Sequence, residues 1–167
     1  MHLDDGVSPG GTGAIRLKPF VANQRVRRQV SGFDVLVVDD DPADSALILS
    51  ALNRNPQVTS ARATSAPEFA LRQFMSGGAL RPDLVLLDIH MPRLDGFAFL
   101  AAMRRNPVMA KVPVVFLTTS SLASDVARTQ NSSAALYVLK PDSSAELQAR
   151  INGVIRLAAR GGLGPRA

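Results

Sequence analysis

From Phe33 onward, short apolar runs alternate with stretches whose apolar residues recur at helical spacing. The runs at Asp34–Asp39, Gln57–Ala63, Asp83–Asp88, Val112–Thr118 and Ala135–Leu139 predict strands. The segments Ala43–Arg54, Ala66–Ser76, Asp95–Arg105, Ala123–Asn131 and Ser143–Ala159 predict helices. Nearly continuous apolar strands, each followed by an amphipathic helix, belong to a parallel sheet covered on both faces. Five such units predict a doubly wound α/β fold. Asp41 before Pro42 reads as an N-cap followed by proline at the first helical position, and Asp95-Gly96 as a turn and cap.

The ends of the strands carry the candidate chemistry. In an open parallel sheet the functional crevice lies beyond the carboxyl ends of the strands. Here the first strand runs into Asp39-Asp40, the third into Asp88, the fourth into Thr118-Thr119-Ser120 and the fifth into Lys140-Pro141. Taken singly, Thr118 reads as a strand-end hydroxyl, Lys140 as a surface lysine, His90 as a loop histidine without special role and Tyr137 as a core residue. Their common rim changes that reading. Two or three carboxylates with carbonyls and waters suit Mg²⁺, whereas zinc would call for clustered histidine or thiolate. A carboxylate beside Mg²⁺ can attack phosphorus, because the metal screens the charge of the incoming group. Thr118 and Lys140 would then hold the phosphoryl oxygens.

Composition narrows the alternatives. A chain of 167 residues, 46% of them hydrophobic, has room for one full core and not for two ordinary domains. It contains no cysteine, so neither disulfides nor thiolate metal sites enter. No apolar run approaches the roughly 20 residues that span a bilayer, and the polar N-terminus has no signal-peptide core. The expectation is a cytoplasmic protein without a membrane partner. The basic residues are spread unevenly, with Arg16, Lys18, Arg25, Arg27 and Arg28 in the N-terminal extension and Arg150, Arg156, Arg160 and Arg166 near the C-terminus. Solvated tails explain this more simply than a nucleic-acid footprint, since basic and aromatic residues do not interleave. The expected organisation is a flexible basic extension over residues 1–32, one domain over 33–159 and a flexible tail over 160–167.

Asp39-Asp40, Asp88, Met91-Pro92-Arg93-Leu94-Asp95-Gly96, Thr118 and Lys140-Pro141 together resemble the receiver domain of two-component response regulators. The resemblance covers Phe33 to Ala159 and implies a five-stranded parallel sheet of flavodoxin-like order 2-1-3-4-5. It implies that Asp88 accepts a phosphoryl group from a histidine kinase in a Mg²⁺-dependent reaction. Asp40 and Asp88 would bind the metal by side chain, His90 by its backbone carbonyl, and Asp39 mainly through a metal-bound water. Thr118 would move toward the phosphoryl group, Lys140 would pair with it or with Asp88, and Tyr137 would swing inward. That coupling would shift the helix–strand–helix face from Ala123 to Ala159 between two states. The protein would be a stand-alone signalling element that catalyses only its own phosphorylation and dephosphorylation. Asp41-Pro42-Ala43-Asp44, residues Gly77 to Asp83 and Leu117-Thr118-Thr119-Ser120 are more narrowly similar to the partners of bacterial phytochrome histidine kinases. Homodimerisation through the 123–159 face is expected on the same ground.

The pattern departs from the family at His90, where asparagine is frequent, at Ser133, where a small glycine is usual, and at Asp142 after Lys140-Pro141. Two other readings compete. A phosphohydrolase of the haloacid dehalogenase type would use Asp39 as nucleophile, leaving Asp88 and Met91-Pro92 idle. An interaction module of receiver shape would work independently of phosphorylation.

Overall fold

The computed structural model describes residues 32–78 and 80–164. Of the expected extension only Gly32 falls among them, and residues 165–167 of the expected tail lie outside. The elements are β1 (Phe33–Val38), α1 (Pro42–Asn53), β2 (Val58–Thr64), α2 (Pro67–Met75), β3 (Leu84–Leu87), α3 (Gly96–Arg104), β4 (Val114–Thr118), α4 (Ala123–Gln130), β5 (Leu136–Leu139) and α5 (Ser144–Ala159). Every predicted strand and helix is present, with ends displaced by no more than two residues. All strand pairs are parallel, in the order β2-β1-β3-β4-β5.

Central position explains the apolar runs. β3 and β4 are buried throughout and β1 over its last four residues, whereas the edge strands β2 and β5 are only half-buried. Because side chains alternate across a strand, β1 sends Leu36 and Val38 to one face and Val35 and Val37 to the other. The first face packs on Phe74, Phe99 and Met103 of α2 and α3; the second packs on Ile48, Leu52, Leu147 and Ile151 of α1 and α5. Each such side chain, when fully buried, contributes about 2 kcal/mol.

Local chemistry sets the helix ends. The Asp41 carboxylate accepts from the amides of Ala43 and Asp44, with Pro42 at the first helical position. Asp95 and Ser143 cap α3 and α5 in the same way. At the far end of α5, Gly161 takes the left-handed φ of 72° that glycine alone adopts without cost. Its amide donates to Ala158 and that of Gly162 to Leu157, the paired bonds of a Schellman cap. The turn returns Leu163 to the α1–α5 core, where it is 4% exposed. The expected tail over 160–167 is therefore corrected in its first residues: the packed chain continues to Leu163 because a buried leucine anchors it.

Arg104, at the C-terminal end of α3, crosses to two loops. Its guanidinium donates to the Ser133 hydroxyl (2.9 Å) and carbonyl (3.1 Å), and to the carbonyls of Val112 (2.8 Å) and Met109 (3.3 Å). The serine that departs from the family pattern thus has a partner. Replacing Arg104 with alanine strands several carbonyls and should lower unfolding stability by about 3 kcal/mol. Ser133→Ala removes only a hydroxyl and should cost about 1 kcal/mol; urea unfolding of both variants measures the difference.

Candidate functional site

The register of the sheet decides what shares the rim. Val38 lies opposite Leu87, so Asp39 and Asp88 leave β1 and β3 side by side, and the Asp88 amide donates to the Val38 carbonyl at 2.9 Å. Thr118 lies opposite Leu139, and the Lys140 amide donates to the Thr118 carbonyl at 2.8 Å. Asp39, Asp40 and Asp88 each offer a carboxylate oxygen within 4.8 Å of the others. Asp39 is 1% exposed and Asp88 8%, while Asp40 stands partly open to solvent.

Carboxylates this close repel, and burial strengthens the repulsion. Lys140 compensates. Its Nζ lies 2.6 Å from Asp39 Oδ2, 2.8 Å from Asp44 Oδ2 and 3.9 Å from Asp88 Oδ1. The expected ion pair with Asp88 is there at the longest of these distances, and the hydrogen bonds go to Asp39 and Asp44. The Asp41 cap accounts for this, because it starts α1 at once and holds Asp44 in the first turn. Burial works against the Lys140 ammonium, but its bonds to Asp39 and Asp44 outweigh that and keep its pKa above the ordinary value. Burial pushes the Asp39 carboxyl up, although Lys140 and the Asp41 amide oppose it.

The two candidate nucleophiles differ in one respect. Asp39 uses both oxygens, Oδ1 accepting from the Asp41 amide at 3.0 Å and Oδ2 from Lys140. Asp88 Oδ1 is buried and accepts no hydrogen bond. An all-oxygen donor set with one unpartnered buried oxygen fits a hard divalent cation such as Mg²⁺.

The loop after Asp88 is tightly built. The Leu94 amide closes a three-residue turn on the Pro92 carbonyl at 2.8 Å, and Arg93 within it has a left-handed φ of 69°, a strained value for a residue with a side chain. The Gly96 amide donates to Ile89 at 2.8 Å. A Cβ on Gly96 would stand 2.3 Å from the Asp88 carbonyl oxygen, so close approach excludes a side chain there.

Thr118 is fully buried at the end of β4, its hydroxyl accepting from the Ser120 amide at 3.2 Å. Tyr137 is half-buried and donates its hydroxyl to the Ser120 carbonyl. His90 does not turn its ring into the acidic cluster. Its Nε2 lies 2.8 Å from Asp125 Oδ2 on α4, which corrects the reading of His90 as a loop histidine without special role. Sequence reasoning missed Asp125, and it named Asp44 and Ser120 without giving either a role. Asp44 carried a signal, three residues after the Asp41 cap. Asp125 carried none, because its partner His90 lies 35 residues away.

A parallel sheet of this order, three acids on two adjacent strand tips and a lysine from a fifth strand define a receiver. The chain belongs to the response regulator receiver domain family, whose model matches residues 35–152. Such domains take their phosphoryl group from histidine kinases. Response regulator Rcp1 of Synechocystis sp. is 30% identical over 124 residues, 72% of this chain and 84% of that protein. Its Mn²⁺-bound crystal structure matches with a TM-score of 0.63 at 28% identity, covering 73% of this chain and 91% of that one. The phosphorylated cyanobacterial phytochrome response regulator RcpA matches with a TM-score of 0.70 at 25% identity, over 81% of this chain and 99% of its own. The receiver domain of sensor histidine kinase PA1611 from Pseudomonas aeruginosa, solved with magnesium in its active site cleft, matches with a TM-score of 0.61 at 26% identity, over 75% and 98%. Among the described residues, no helix is long and apolar enough to cross a membrane.

Lys140→Met leaves the Asp39 carboxylate buried without its counter-ion. Unfolding stability should fall by about 3 kcal/mol, and Mg²⁺ should stabilise this variant more than the parent in thermal melts. The folded-state pKa of Lys140 lies above the unfolded one, so its contribution is complete below about pH 10.4 and disappears as pH rises through the folded value. The alkaline limb of the stability curve should therefore be shallower in Lys140→Met. Gly96→Ala must displace the Asp88 backbone; about 2 kcal/mol of stability and most of the phosphoryl uptake should be lost, as measured by melting and acetyl phosphate labelling.

Proposed function

We propose that Asp88 is the phosphoacceptor of this receiver, and that its phosphorylation by a histidine kinase is read on the α4–β5–α5 face. The observation that carries the assignment is the contrast between the acids: Asp39 has both oxygens engaged, while Asp88 keeps a buried oxygen without a hydrogen bond. Asp40 and Asp88, with the His90 carbonyl, would hold Mg²⁺, and Asp39 would reach it through water. When bound, the metal supplies charge neutralisation at the phosphoryl group. The protein's own part is positional. An Asp88 oxygen forms the new P–O bond as the P–N bond of the donor phosphohistidine breaks. Lys140, already 3.9 Å from Asp88 Oδ1, offers its ammonium to the added negative charge. Thr118, whose oxygen accepts from Ser120, keeps its own proton to donate to a phosphoryl oxygen.

The chain acts on itself alone in this reading, through its own phosphorylation and slow dephosphorylation in the cytoplasm. The likeness to the phytochrome response regulator RcpA supports a phytochrome-type kinase as donor. Leu122, 58% exposed, and Leu139, exposed on the edge strand, support homodimerisation through the 123–159 face. The haloacid dehalogenase alternative is disfavoured, since its nucleophile Asp39 is sealed and ion-paired.

Incubation with acetyl phosphate and Mg²⁺, followed by peptide mapping, should place one acyl phosphate on Asp88, and Asp88→Asn should carry none. Label on Asp39, or multiple turnovers of a phosphate ester, would overturn the assignment.

A further inference from the structure

α4 is attached unlike the other helices. α1, α2, α3 and α5 bury apolar residues, whereas the buried residues of α4 are Asp125 and Thr129. The Thr129 hydroxyl is satisfied within the helix, by the Asp125 carbonyl at 2.9 Å. Asp125 is satisfied outside it. Oδ2 lies 2.6 Å from the Ser120 hydroxyl and 2.8 Å from His90 Nε2, and its side chain is nearly sealed. The Ser120 hydroxyl, with the His90 ring, holds this carboxyl below the usual range against the effect of burial. An ionised carboxylate only accepts hydrogen bonds, so His90 donates through Nε2–H.

Ser120 is the junction. Its amide donates to the Thr118 hydroxyl, its hydroxyl donates to Asp125, its carbonyl accepts from Tyr137, and its hydroxyl oxygen accepts from the Leu122 amide at 3.3 Å. On the far side, His90 stands two residues from Asp88 in the turn closed by Leu94 and Gly96. Arg128 adds a cation–π contact 3.9 Å above Phe97, weak at an exposed position.

We propose that Asp125 is the positioning residue of a latch joining α4 to the Asp88–Gly96 loop. His90 and Ser120 converge on its carboxylate, so occupancy of the Asp88 site reaches α4 and Tyr137 through these bonds as well as through Thr118. The proposal rests on Asp88 being the phosphoacceptor. A helix held by directed bonds to one buried charge can take discrete attached and released arrangements. The latch also fixes the loop that carries the His90 carbonyl, so it pre-organises the site for the bound group.

Tyr137 is the only tyrosine and the chain has no tryptophan, so tyrosine emission reports this residue alone. The experiment titrates the full chain with beryllofluoride in Mg²⁺, following that emission, and measures amide exchange over residues 123–130. In Asp125→Asn and in His90→Gln the beryllofluoride midpoint should rise about fivefold or more, and α4 exchange without ligand about tenfold, the effect of one lost charge-assisted hydrogen bond. The double variant should show no further change. Ser120→Ala, which leaves His90 on the carboxylate, should fall between, and Ser120→Thr should restore the parent midpoint; both decide the matter if Asp125→Asn does not fold. A purely structural role would lower melting temperature without moving the midpoint. An unchanged or lowered midpoint, unchanged α4 exchange, or additive effects in the double variant overturns the latch. A parent chain that gives no response to beryllofluoride overturns the phosphoacceptor reading and the relay with it, whereas a normal parent response with unaltered variants overturns the latch alone.

Discussion

One buried ammonium makes the rim possible. Sheet register forces Asp39 and Asp88 together, and with Asp40 they form a concentration of negative charge that low dielectric would not tolerate unaided. Lys140 answers it from the end of an edge strand, delivered by the pairing of Thr118 with Leu139. The arrangement depends on β5 as much as on the acids. It also depends on α1, because Asp44 shares the ammonium and ties the helix start to the last strand. A single contact thus joins the first and last units of the fold at the point where the chemistry lies.

What the sequence disclosed follows the range of each interaction. β1, β3 and β4 were legible because full burial demands unbroken apolar residues, and their terminal polar residues were legible by contrast. The caps at Asp41 and Asp95 were legible because they act across two or three residues. Bonds that span the fold leave no periodic trace. Arg104 with Ser133, His90 with Asp125 and Lys140 with Asp44 join residues 29, 35 and 96 positions apart. No pattern in the sequence singled out Arg104, and Ser133 stood there only as a departure from the family pattern. Likewise the end of the domain was misplaced, since one leucine after a glycine-rich stretch does not announce that it is buried.

The fold combines two kinds of cohesion. The sheet and four of its helices are held by apolar contact, which is close-packed and resists rearrangement. α4 is held by hydrogen bonds to a carboxylate, supported by an exposed cation–π contact, and its N-cap Leu122 makes no side-chain capping bond. Arg104 marks the boundary, because it fixes Ser133, just after α4, to the rigid end of α3. Motion in α4 is pinned at one end by that clamp and governed at the other by Ser120 and Asp125.

The partial opening at Asp40 bears on a different matter, the selection of donors. Asp88 is buried but keeps 8% of its surface exposed, and Pro92 and Arg93 of the loop that follows it are exposed. On the reading of Asp88 as phosphoacceptor, the partly exposed Asp40 leaves the rim open to solvent on one side. Discrimination among kinases must then come from the surface that surrounds the mouth, including the first turn of α1 and the exposed edge of the 88–96 loop. On that reading, fidelity of signalling would be a property of the periphery of the site more than of the acidic rim itself.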